Sequence, residues 1–170
     1  MPARARRAIT LCASARTNTT PLPQPTPRLG VFGIKAFGDI TWYVPYRTSV
    51  LQITDGTSNT LLMSELIINQ QRGDILNDQG APYFMGNLTP NSSSADSAYW
   101  CNTTNADYDP KLPCTNTGNG NWWLAARSRH TGGVNAARAD GSVAFYSNSV
   151  SSANWAALTS MNGGETINDN

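Results

Sequence analysis

"RHTGGVNAARADGSVAFYSNSV", residues 129–150, is the stretch whose reading decides the fold. It contains His130, the single histidine of the 170-residue chain, and Asp140-Gly141 ten positions further on. Asp-Gly between two alternating runs is a strong short-range hairpin signal. With Asp140 and Gly141 as a two-residue loop, Ala139 faces Ser142, Arg138 faces Val143 and Ala136 faces Phe145. That register predicts a core side formed by Val134, Ala136, the Arg138 stem, Val143 and Phe145. His130-Thr131-Gly132-Gly133 supplies a second turn at the other end of the same strand.

Extended chain rises about 3.3 Å per residue, which sets the two corners roughly 20 Å apart. A general base and its carboxylate must come within ~3 Å or share one water. His130 and Asp140 therefore read as the corners of a meander, not as a reactive pair. The expectation is that His130 hydrogen-bonds loop backbone and that Asp140 stabilises its own turn. The alternative is a His130 that pairs with a distant acid such as Asp55 or Glu65. No Gly-x-Ser-x-Gly, His-Glu-x-x-His or phosphate-loop pattern is present, so the sequence points away from an enzyme.

Outward from this stretch, "NWWLAARS" (121–128) is a further strand-like run. "NWAALTSM" (154–161) reads as a short amphipathic helix carrying Trp155 and Leu158, capped at Ser151, Ser152 or Asn154 and stopped by Gly163-Gly164. In "LQITDGTSNTLLMSELII" (51–68), Asp55-Gly56 signals a turn, and Ser58 or Asn59 could cap the next element. "TLLMSELII" favours a strand over a helix by its length and β-branched ends, with Leu61, Met63 and Leu66 or Ile68 as core. "VFGIKAFGDITWYVPYRTS" (31–49) predicts one or two short strands with a loop near Pro45 and Tyr46.

Residues 69–121 dissolve into Asn, Gly, Asp and Ser, a long loop or insertion in need of a local staple. Cys101 and Cys114 bracket its polar centre. They read as a disulfide of an oxidising compartment, against the alternative of two reduced thiols. In the chain-entropy model a bridge over about 14 residues contributes roughly 3 kcal/mol. The Asn-x-Ser/Thr triplets at Asn87, Asn91 and Asn102 arise freely in such a composition.

Residues 1–29 carry five arginines, no acid, and prolines at 21, 23, 25 and 27. They read as a disordered or foreign leader, with a single β-rich domain over 30–170. That domain holds all eleven acids against the seven remaining basic groups. A mildly acidic body without basic-aromatic stripes argues against nucleic acid as a partner. The chain is 14% charged, against about 25% in average soluble domains, so its polarity comes from Asn, Ser, Thr and Gly. No apolar run approaches the ~18 residues of a membrane helix.

"HTGGVNAARADG" (130–141) resembles the His-x9-Asp-Gly signature of the prepilin-type processing-associated domain of bacterial domain-of-unknown-function family 1559. "ITDGTSNTLLMSE" (53–65) resembles that family's second hallmark, and "NWAALTSMNGGE" (154–165) its terminal block. The resemblance implies an α+β fold: the antiparallel β-meander of a pilin-like head with short helices. It also implies a cleaved leader and a long apolar N-terminal helix, which residues 1–29 do not supply. It singles out as motif residues His130, Gly132, Gly133, Asn135, Asp140 and Gly141, together with Asp55, Gly56, Ser58, Asn59 and Glu65. It implies a non-catalytic, extracytoplasmic head in the cell envelope, periplasm or cell surface, whose partners are other pilin-like or envelope proteins. The alternative is a carbohydrate-, solute- or calcium-binding module. Trp100, Trp122 and Trp123 would supply a sugar platform, and Asp96, Asp107 and Asp109 oxygen ligands for calcium. No cofactor other than calcium is suggested.

Overall fold

The strand Gly133–Arg138 (β8) and its hairpin partner Val143–Ser147 (β9) form one end of a five-stranded sheet. In chain order the earlier strands are Arg6–Ala13 (β1), Ile34–Ala36 (β2), Tyr43–Pro45 (β3), Leu61–Ile68 (β4), Tyr83–Met85 (β5), Asp96–Ala98 (β6) and Cys114–Asn116 (β7). One helix, Ser152–Leu158 (α1), comes after β9. This computed structural model describes residues 6–13, 30–32, 34–36, 43–45, 48–68, 83–98, 101, 103–104, 110–111, 113–116, 124–165 and 167. The architecture is α+β.

The large sheet runs β5-β1-β4-β8-β9. β1 pairs antiparallel with β4 and parallel with β5, and β4 and β9 both pair antiparallel with β8. Two small ribbons accompany it, β2 with β3 antiparallel and β6 with β7 parallel. The sheet is thus mixed: β4, β8 and β9 form the antiparallel part that the resemblance implies, and β5 adds one parallel pairing. Residues 6–13 are also a correction: instead of lying in a leader outside the fold, they form an interior strand between β4 and β5. Five or six extended residues suffice for a paired strand, far fewer than the apolar run by which a leader or helix would be recognised. Residues 14–29, with their prolines, lie outside the described residues.

β4 is a strand, with a bulge. Leu61 pairs with Arg138 and Met63 with Ala137, so Leu62 is the extra residue. The bulge re-phases the alternation and puts Leu61, Ser64 and Leu66 inside. The Ser64 hydroxyl is satisfied there by the Asn135 carbonyl at 3.2 Å. Residues 124–128 are buried but belong to no strand. Their backbone bonds go singly to Met85, Asn91 and Glu65, which is not a ladder.

The hairpin register differs by one residue from the two-residue reading. Ala137 faces Val143, Ala136 faces Ala144, Asn135 faces Phe145 and Val134 faces Tyr146. The Gly141 N–H donates to Arg138 O at 3.0 Å and the Arg138 N–H to Ser142 O at 2.8 Å. Gly141 has φ +86°, while Asp140 has an ordinary negative φ. This is a type I turn closed by a glycine bulge, a three-residue loop; a two-residue type I′ turn would need positive φ at both positions. The slip turns every β9 side chain over. Tyr146 is buried and Val143 and Phe145 are exposed, 68% and 52%, so these two are not core.

Ser151 caps α1, its hydroxyl accepting from the Asn154 N–H at 3.1 Å. The helix ends at Thr159, several residues before Gly163-Gly164. Its Trp155 and Leu158 join Leu61, Leu66, Phe84, Ala126, Val134, Ala136 and Tyr146 in the core. The Trp155 ring lies 5.9 Å from Phe84 and 5.7 Å, edge-on, from Tyr146, between centroids. Among the described residues, no helix is long and apolar enough to cross a membrane.

Candidate functional site: the two ends of β8

His130 and Asp140 stand at opposite ends of β8, each held by different partners. At the histidine end, Nε2 lies 3.1 Å from Glu65 Oε1. A carboxylate only accepts, so this contact requires the hydrogen on Nε2. The other Glu65 oxygen accepts the Asn135 backbone N–H at 2.9 Å. The Asn135 side-chain amide stands 3.2 Å from the same imidazole nitrogen. His130 thus pairs with a carboxylate 65 residues away, the distant-acid alternative that the sequence left open. The reason is the sheet: β4 lies beside β8 and carries Glu65 to it. The imidazole keeps 30% of its surface in solvent and Glu65 14%.

Two further residues close this end. The Ser128 hydroxyl donates to Gly133 O at 2.6 Å and accepts the His130 N–H. Asn91, at φ +50°, accepts the Ser128 N–H and donates to Gly133 O and to Asn148 Oδ1. Gly132 O accepts the Asn148 N–H at 2.8 Å. Gly133 admits no side chain, since a Cβ there would stand 2.1 Å from Tyr146 O.

At the other end the Asp140 carboxylate accepts both the N–H and the hydroxyl of Ser142, at 2.9 and 2.7 Å. These bonds, the hydroxyl first, hold its pKa below the ordinary carboxylate value, and the Arg138 charge adds to them. The turn backbone is fixed from outside: Ala139 N–H donates to Thr60 O and Asp140 N–H to Thr57 O.

Segment 53–65 therefore reaches both ends of β8, and it holds the C-terminal block as well. The Asp55 carboxylate accepts the Gly163 and Gly164 N–H groups at 2.8 and 2.9 Å. The Asp55 N–H donates to Met161 O. The glycine pair thus binds Asp55, past a helix that has already ended at Thr159. Asn59 donates back to Asp55 O, and Thr60 Oγ1 to Gly56 O; Ser58 is exposed on the same loop. The element after that loop is a strand, so neither Ser58 nor Asn59 caps a helix.

Sequence reasoning missed a buried ion pair. Arg127 and Asp96 are both buried, joined through Nη2–Oδ1 at 2.8 Å and Nε–Oδ2 at 3.2 Å. Asp96 also accepts the Ala125 N–H at 3.0 Å, and Arg127 donates to Ser92 O and Ser94 O. Asp96 is thus no calcium ligand: both oxygens are already engaged by donors. The available signal was an arginine in the apolar run "LAARS" (124–128), where a charge needs a buried counterpart. Asp107, Asp109, Trp100, Trp122 and Trp123 lie outside the described residues. A disulfide joins Cys101 to Cys114, with Cα atoms 5.8 Å apart.

No metal-holding group of three or more His, Cys, Asp or Glu side chains occurs among the described residues. The site is a junction of backbone-binding side chains set on an α+β domain. The chain belongs to the family described as protein of unknown function, DUF1559, whose model matches residues 11–153. The match begins inside β1 and includes both 53–65 and the His130–Gly141 stretch, while the 154–165 block lies beyond it. No curated protein and no solved structure matches the chain.

Proposed function

We propose that this chain is the non-catalytic, extracytoplasmic head of a pseudopilin-like envelope or secretion-associated protein, with a role in assembly. One observation carries the reading. Segment 53–65 binds both ends of β8 and the C-terminal glycines, so the motif acids and the histidine are engaged with backbone and with each other. Side chains used this way build a rigid body, which supports an architectural role for these residues. The Cys101–Cys114 bond supports an oxidising compartment.

The test is expression from the native locus, with whatever reading frame surrounds Met1, in cells with and without prepilin peptidase. The expected result is a chain processed by that peptidase and recovered, disulfide-bonded, in the envelope fraction. A chain kept in the cytoplasm with free thiols and no processing would overturn the proposal.

A further inference from the structure

The disulfide, the parallel ribbon and the buried ion pair form one continuous chain of contacts. β7 pairs with β6 over only three residues each, and Cys114 stands directly opposite Asp96. Parallel strands need a long crossover to connect them, and an isolated two-stranded ribbon is marginal in water. Something other than its own ladder must hold β7 in place. Cys101 comes three positions after the end of β6, and its bond to Cys114 fixes the start of β7 beside Asp96.

β7 and its leading residue hold the Asp96 backbone. The Asp96 N–H donates to Pro113 O at 2.9 Å, and its carbonyl accepts Thr115 Oγ1 at 3.3 Å. Its carboxylate binds Ala125 N–H and the Arg127 guanidinium. Arg127 in turn fixes the carbonyls of Ser92 and Ser94. A buried pair of this kind depends on complete exclusion of water and complete hydrogen bonding.

We propose that the Cys101–Cys114 bond is a redox-operated clamp on the Asp96–Arg127 pair. Reduction releases β7 from β6, admits water to Asp96 and loosens residues 92–98, while the β8–β9 hairpin stays folded. The reductant is a dithiol, small or protein-borne. It delivers two electrons and two protons; the S–S bond breaks, both cysteine sulfurs become thiols, and the dithiol closes to its own disulfide. Cys101 is the half-buried partner and Cys114 the buried one, so attack falls on the Cys101 side. The clamp does not depend on the pilin-like reading.

Amide hydrogen exchange on the whole chain, oxidised and after dithiothreitol, tests it. A Cys101→Ser/Cys114→Ser double variant serves as the counterpart without reductant. The Asp96 and Ala125 amides are expected to exchange at least about tenfold faster in the reduced chain and in the double variant, with the β8–β9 ladder unchanged, as local opening requires. Unchanged exchange at Asp96 and Ala125 would overturn the clamp. So would equal acceleration throughout the sheet, which would make the bond a general staple only.

Discussion

The two ends of β8 are built on different principles. At Asp140 the side chain finds its donors two residues away, in Ser142, and stays exposed. At the histidine end, Glu65 pairs with His130 while Asn91 binds Ser128 and Asn148, groups brought together by the sheet and the 86–95 loop. The first end is local chemistry on a turn; the second is a junction that exists only once the chain has folded. Damage at the second should therefore spread further.

The largest effect is expected upstream of the histidine end. Arg127→Met leaves the Asp96 carboxylate buried without its counter-charge, which should cost about 3–5 kcal/mol in urea unfolding. A loss no larger than that of an exposed substitution would show that the pair is not a buried support of the fold.

The glycines sharpen the contrast. Gly133→Ala drives a Cβ against Tyr146 O, in backbone that cannot yield cheaply; overpacking of this kind costs about 1–3 kcal/mol. Gly141→Ala meets open space and is penalised only for its positive φ, about 1 kcal/mol. Thermal midpoints should fall further for the Gly133 variant than for the Gly141 variant, and the reverse order would contradict the close approach at Gly133.

Glu65→Ala removes the acceptor for both the Asn135 N–H and the imidazole. Loss of hydrogen bonds to a charged group is worth about 1.5–3 kcal/mol. His130→Ala should cost less, because Asn135 N–H keeps its acceptor. Equal losses in chemical unfolding would mean that the imidazole, not the carboxylate, organises this end.

Asp140 gives the smallest effect, and one with a defined pH sign. Its folded pKa is lowered, so its contribution is fully present above the ordinary value of 3.8 and is lost as pH falls below that through the lowered one. Asp140→Asn should therefore flatten part of the acid limb of the stability profile and leave the neutral region nearly unaltered. An unchanged acid limb would remove Asp140 from the turn's electrostatics.

The same contrast explains how much was legible in the sequence. The hairpin, the β4 strand, the Ser151 cap and the Trp155 helix rest on neighbours within a few residues, and periodicity and turn chemistry report those. Asp-Gly fits both a two-residue and a three-residue loop, and only the backbone of Asp140 distinguishes them; hence the register slip and the wrong side for Val143 and Phe145. Glu65 with His130, Asp55 with Gly163 and Gly164, and Asp96 with Arg127 pair across 31 to 109 positions. No local pattern specifies such partners. The motif residues were recognisable as a set, but that 53–65 links both ends of β8 to the C-terminal block required the fold.

The most direct test of β8 as architecture is a pair of double-mutant cycles in one unfolding assay, His130→Ala with Asp140→Ala and His130→Ala with Glu65→Ala. Residues at opposite ends of a strand should act additively, while residues in one hydrogen-bonded network should not. The predicted result is no coupling beyond error between His130 and Asp140, with clear coupling between His130 and Glu65. Strong coupling of His130 to Asp140, and none to Glu65, would contradict it.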